Sequence, residues 1–168
     1  AEEGLVFVHP YDDPDIVSGQ GTIGMEMLAD VPDLDVIVVP IGGGGVIGGI
    51  AIAAKALNPR IEIIGVEAQL YPSMYQAIHG LAATSGGESI AEGIAVKTPG
   101  EITKAIVSEY VDDILLVDEF AIESAVQTMV ETAKLIVEGA GAAPLAAVIQ
   151  QSERFAGRKI GLVACGAK

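Results

Sequence analysis

The chain has no tryptophan, one cysteine and few aromatic residues of any kind, 4% of 168. A single cysteine, Cys165, excludes a disulfide scaffold and suits a reducing compartment, so the chain is expected to be cytoplasmic. Positive charge is scarce as well: 9 Lys and Arg stand against 23 Asp and Glu, for a formal net charge of −14. A surface that acidic repels nucleic acid and anionic lipid, and neither is an expected partner. No uncharged apolar run reaches the about 18 residues a membrane span needs. The opening Ala1-Glu2-Glu3-Gly4 is acidic and does not read as a signal peptide. Internal repeats and low-complexity tails are not evident, and the one sizeable loop is expected at residues 81–89.

What the chain has in quantity is small and β-branched apolar residues. Hydrophobic residues make up 51% of it, and mean hydropathy is +0.50. That composition fits a buried parallel sheet covered on both faces, or a chain that buries apolar surface against a partner. At this length one domain spanning residues 1–168 is expected, large enough for a real core.

Strands and helices alternate along the sequence. Strands are expected at Leu5–Val8, Val36–Val39, Ile61–Val66, Ile114–Val117 and Ile160–Ala164. Helices are expected at Ile16–Ala29, Val46–Leu57, Pro72–His79, Glu101–Tyr110, a long Glu119–Val137 and Ala142–Phe155. Lys55, Lys104 and Lys134 read as solvated positions on these helices. Asp12 and Asp13, before Pro14, are read as capping and turning the chain into the first helix. The alternation predicts an α/β fold: a doubly wound, mostly parallel sheet in three α/β/α layers, with ligands at the carboxyl ends of the strands.

Four consecutive glycines, Gly42, Gly43, Gly44 and Gly45, follow the run Val36-Ile37-Val38-Val39 and precede a small-residue helical pattern. Glycines let backbone N–H groups converge on an oxyanion, and a helix N-terminus adds partial positive charge. The ligand chemistry this predicts is a phosphate. Gly43, Gly45 and Gly48 also satisfy the Gly-x-Gly-x-x-Gly dinucleotide spacing, with Glu67 about 20 residues on as the expected acid. A Walker loop is excluded, because no Gly-Lys-Ser/Thr follows. A glycine turn serving only close helix–strand packing is the remaining reading.

The order of several segments resembles the threonine/serine dehydratases. These segments are His9-Pro10-Tyr11-Asp12-Asp13-Pro14, Gly19-Gln20-Gly21-Thr22, Val39-Pro40-Ile41 with the four glycines, Gly65-Val66-Glu67, Ala91-Glu92-Gly93, Tyr110-Val111-Asp112-Asp113, Glu138-Gly139-Ala140-Gly141-Ala142 and Cys165-Gly166. The resemblance implies pyridoxal 5'-phosphate as cofactor, L-threonine or L-serine as substrate, a 2-oxo acid and ammonia as products, and the large cofactor domain of the tryptophan-synthase-β-like fold. It also implies roles. Backbone N–H groups of Gly43, Gly44, Gly45 and Val46 would hold the phosphate, with Gly42 shaping the turn. Cys165 would face the pyridine nitrogen, and Glu138 would approach the ring or the substrate. Read without the resemblance, Cys165 is a small buried hydrophobe and Glu138 a helix-terminal surface charge.

The family's lysine segment, Ser/Thr-x-Lys-x-Arg-Gly-like, and its Ser-x-Gly-Asn loop are not found here. The sequence therefore reads as the C-terminal half of such an enzyme, expected to be inactive alone and to associate with itself or with the missing N-terminal half. Racemase-like members hold a divalent metal between a glutamate and an aspartate; Glu67 matches, but Ser73 stands in the second place, so no metal site is expected. A serine racemase-like enzyme and a catalytically incomplete phosphate-binding or oligomerisation module are the alternatives.

Overall fold

The computed structural model describes Gly4 and residues 6–166. Among these residues four parallel strands form one sheet: β1 (Val36–Pro40), β2 (Glu62–Ala68), β3 (Asp113–Val117) and β4 (Ile160–Leu162), in the order β3-β2-β1-β4. The chain builds outward from β1 to β2 and β3, then returns to place β4 on the other side of β1. The switch point of the sheet therefore lies between the carboxyl ends of β1 and β4.

The helices of the described residues flank the sheet: α1 (Pro14–Asp30), α2 (Gly45–Leu57), α3 (Ser73–His79), α4 (Glu101–Tyr110), α5 (Glu119–Thr128), α6 (Gly139–Gln150) and α7 (Ser152–Phe155). All five residues of β1 are buried. Val36 and Val38 join a core with Ile122 of α5 and Ala143 of α6. Ile37 and Val39 join a second core with Leu28 of α1, Ile50 of α2, Met74 of α3 and Val107 of α4. A strand buried on both faces has no polar face to alternate with, which is why β1 reads as an unbroken apolar run.

Local chemistry sets several boundaries. Asp13 accepts from the backbone N–H groups of Asp15 and Ile16 at 2.9 and 3.3 Å, and Pro14 supplies the preset φ of a first helical residue. Gly80 closes α3 in the left-handed region. At the crossing of α1 and α2 a Cβ on Gly49 would lie 2.2 Å from the carbonyl oxygen of Val17, so the two backbones meet only because the residue is glycine. Ion pairs gather at the amino ends of the strands: Arg154 bridges Glu62 and Asp113 at 2.8 and 2.6 Å, and Lys55 holds Asp112 at 2.7 Å.

The structure corrects several expectations. The strand expected at Leu5–Val8 does not form over residues 6–8, which are exposed and irregular; Leu5 lies outside the described residues. Among the described residues, this stretch pairs with no strand of the sheet, so its β-branched composition completes no ladder. The long helix Glu119–Val137 ends early. After α5 a widened turn covers Met129–Ala133, and Lys134 stops it with φ +59°. Lys134 is exposed, as expected of a solvated position, but it is a left-handed cap and not part of a helix. Thr128 and Thr132 donate to carbonyls four residues back, which loosens the helical ladder there. The helix expected at Ala142–Phe155 starts at Gly139 and breaks at Gln151, and β4 is shorter than Ile160–Ala164. Finally, Asp12 caps α4 rather than α1, as described below.

Candidate anion and cofactor site

The glycine run leaves β1 and enters α2 directly. Gly44 is the N-cap of α2, with φ +95° and no side-chain cap, so the first N–H groups of the helix are left for another acceptor. A cavity of about 260 Å³ opens there, lined by Gly42, Gly43, Gly44, Gly45, Val46 and Cys165 among others. Residues from opposite ends of the sequence thus share one wall. They meet because β4 pairs with β1, and Val163 extends the pairing by donating to the carbonyl of Val38 at 3.1 Å.

Cys165 follows β4 and is partly buried. Burial raises its thiol above the ordinary range, and the nearby Glu138 carboxylate adds to the rise. The group facing the cavity is therefore a neutral S–H at neutral pH. Glu138 does not line the cavity. It is the N-cap residue of α6, and its backbone N–H donates to the carbonyl of Gly166 at 3.2 Å. Its carboxylate is wedged between two glycines: a Cβ on either Gly93 or Gly166 would lie 2.5 Å from Oε1.

Glu67 is placed elsewhere. It lies within β2, fully buried, and its two oxygens accept from the N–H groups of Met74 and Tyr75 at 2.8 Å each. Burial raises its pKa to about 7, against the lowering effect of those two amides. With both oxygens turned to α3, Glu67 does not serve as the acid of a dinucleotide site. Among the described residues, no group of three His, Cys, Asp or Glu side chains is placed to hold a metal ion. His9 accepts the Asp12 N–H at 2.8 Å, and His79 bonds the Tyr75 carbonyl at 2.7 Å, so both serve local structure.

Sequence reasoning missed three contributors. Tyr11 lines the cavity; its ring covers Gly43, where a Cβ would lie 2.1 Å from Cγ, and its hydroxyl donates to the Thr98 carbonyl at 3.1 Å. The Asp12 carboxylate accepts from the N–H groups of Glu101, Ile102 and Thr103. Thr103, fully buried, donates from Oγ1 to the Gly43 carbonyl at 2.6 Å. No sequence motif marks these pairings. The family resemblance of residues 9–14 was the only signal pointing to that stretch.

A parallel sheet whose glycine loop and a neutral thiol line one cavity at its switch point defines an α/β protein with a candidate ligand site at the carboxyl ends of its strands. The family model described as pyridoxal-phosphate dependent enzyme matches residues 1–166, and the chain belongs to that family. The chain is 44% identical over 165 residues to an L-threonine ammonia-lyase of Thermotoga maritima, covering 97% of this chain and 41% of the relative. A catabolic L-threonine dehydratase of Escherichia coli K12 is 44% identical over 149 residues, 88% of this chain and 45% of the relative. Among solved structures, a threonine deaminase from T.th. superposes with a TM-score of 0.93 at 34% identity, covering 99% of this chain and 63% of that one. Maize serine racemase superposes with a TM-score of 0.92 at 37% identity, covering 99% of this chain and 54% of that one. The chain spans less than half the length of these two curated relatives.

Proposed function

We propose that residues 1–168 are one cofactor-binding unit of a pyridoxal-phosphate dependent threonine/serine ammonia-lyase, and that the cavity beside Gly42–Gly45 holds the cofactor. The observation that carries this reading is the meeting of the glycine cradle and Cys165 in one cavity. The donor chemistry fits the cofactor's two ends. Backbone N–H groups at the start of α2 suit a phosphate, and a neutral thiol suits a pyridine nitrogen without protonating it.

When bound, pyridoxal phosphate supplies the electron sink that lets L-threonine or L-serine lose its α proton and β-hydroxyl, and hydrolysis then gives a 2-oxo acid and ammonia. The chain's own residues bind and orient. Gly43, Gly44, Gly45 and Val46 anchor the phosphate, while Tyr11 closes the glycine wall. The Glu138 carboxylate, beside Gly166, helps keep the Cys165 thiol protonated, so that the group offered to a pyridine nitrogen would be neutral. Among the described residues no lysine lines the cavity. The amine that moves the α proton is therefore proposed to come from another segment of the full-length protein, and the chain alone is a phosphate-ligand-binding module.

The test has two arms. The 168-residue chain should bind pyridoxal phosphate, seen by absorbance and fluorescence, yet release no 2-oxobutanoate from L-threonine above the rate of free cofactor. The full-length protein should release it. Turnover of D- and L-serine without ammonia release would instead favour the racemase reading, which the maize structure supports. A cytoplasmic location is proposed with this metabolic role, in keeping with the single cysteine; no helix among the described residues is long and apolar enough to cross a membrane.

A further inference from the structure

We infer that Thr103 is a positioning residue of the anion cradle: its hydroxyl fixes the Gly43–Gly44 peptide so that the Gly44 N–H faces the cavity. This deepens the cofactor reading above and rests on it. A glycine run has the widest choice of backbone conformations, and four in a row do not orient their own N–H groups. Something outside the loop has to choose one arrangement. Thr103 lies 60 residues further along the chain, is fully buried, and donates from Oγ1 to the Gly43 carbonyl at 2.6 Å. The Gly100 N–H donates to the same oxygen at 3.4 Å.

Stereochemistry carries this contact across the loop. In a planar trans peptide the carbonyl and the following N–H point to opposite sides. With the Gly43 carbonyl drawn onto α4, the Gly44 N–H is turned away from α4, toward the cavity that Gly43 and Gly44 line. The threonine has one hydroxyl proton, and it is spent on Gly43, so Thr103 acts through the peptide without touching the ligand. The tether is itself held. The Asp12 carboxylate accepts from Glu101, Ile102 and Thr103 N–H groups at 3.0, 2.9 and 3.2 Å, which pins the amino end of α4 beside the loop. Helix α4 thereby sets the geometry of a cradle to which it contributes no ligand-facing group.

The experiment compares wild-type chain, Thr103→Val and Thr103→Ser. Valine keeps the shape and removes the donor; serine keeps the donor. Dissociation constants are measured by fluorescence for pyridoxal 5'-phosphate and for pyridoxal, with thermal unfolding alongside. The preference for the phosphorylated form isolates the cradle. Thr103→Val is expected to cut that preference about five- to tenfold while binding of pyridoxal changes little, and Thr103→Ser to restore it. Equal weakening of both ligands, or an unchanged preference, overturns the inference and leaves only a stabilising role. If Thr103→Val does not fold, Thr103→Cys, a poor donor of similar size, is held to the same comparison. A wild-type chain with no preference for the phosphorylated form overturns the cofactor reading itself, an outcome distinct from failure at Thr103.

Discussion

Asp12 and Asp13 are adjacent in sequence and cap two different helices. Asp13 accepts from Asp15 and Ile16 at the start of its own helix α1, whereas Asp12 accepts from the N–H groups of Glu101, Ile102 and Thr103 in α4. One dipeptide thus sets both the entry to α1 and the placement of the helix that braces the glycine loop. Each substitution to alanine should cost about 1 kcal/mol or somewhat more. Asp12→Ala alone should also weaken binding of pyridoxal phosphate, because its effect reaches Gly43 through Thr103. Denaturant unfolding paired with cofactor titration separates the two.

Gly44 is expected to tolerate no side chain. Its φ of +95° strains any L-residue, and a Cβ there would lie 2.6 Å from Met74 Cε and 2.8 Å from Thr103 Cβ. Gly44→Ala should lower stability by more than about 1 kcal/mol from backbone strain alone, and Gly44→Asp, whose side chain would be driven against buried Met74 and Thr103, should also abolish phosphate binding by forcing the loop out of its arrangement. Unchanged cofactor affinity in Gly44→Asp would contradict the assignment of this loop.

Glu67 predicts a pH-dependent stability. Burial raises its pKa to about 7 from 4.5, against the two amide donors. The folded state then holds this proton more tightly than the unfolded state, so the contribution is fully present below about pH 4.5 and is lost as pH rises through about 7. The difference in unfolding free energy between wild type and Glu67→Gln should fall across that window by an amount on the order of 3 kcal/mol. A difference that stays flat from about pH 4.5 to about 8 would refute the burial argument.

Cys165, the lone cysteine, gives a clean chemical probe. Its raised pKa predicts slow alkylation by iodoacetamide at neutral pH, with half-maximal reactivity above the about 8.5 of a free thiol. Saturating pyridoxal phosphate should protect it further, since the thiol shares the cavity with the glycines. Mass spectrometry of the alkylated fraction over about pH 7–10, with and without cofactor, measures both effects.

Association is the last expectation. Large apolar side chains are exposed on α1, on α5 and on the segment after it: Met25 at 53%, Phe120 at 78% and Ile136 at 73%. The net charge of −14 opposes contact between copies. Raising salt should therefore promote self-association by screening. Light scattering at low and high ionic strength would show it, and a monomer in both would argue that these faces need no cover.

Local elements, and the glycine turn that joins a strand to a helix, were legible in the chain alone. Asp13-Pro14 marks a helix start, β1 is an apolar run because both its faces are buried, and four glycines join that strand to a helix whose first N–H groups have no side-chain cap. These signals lie within a few residues of the structure they specify. The rest came with folding. Pairing of β4 with β1 brought Cys165 to the glycines, and packing of α3 on β2 turned Glu67 into a buried helix cap. Contact with α4 drew Asp12 and Thr103 into the cradle's support, and two threonine back-bonds with a left-handed Lys134 ended the helix that periodicity extended to Val137. Spacing along the chain carries no record of which distant backbone group a side chain will meet; that is settled only when two apolar faces choose each other.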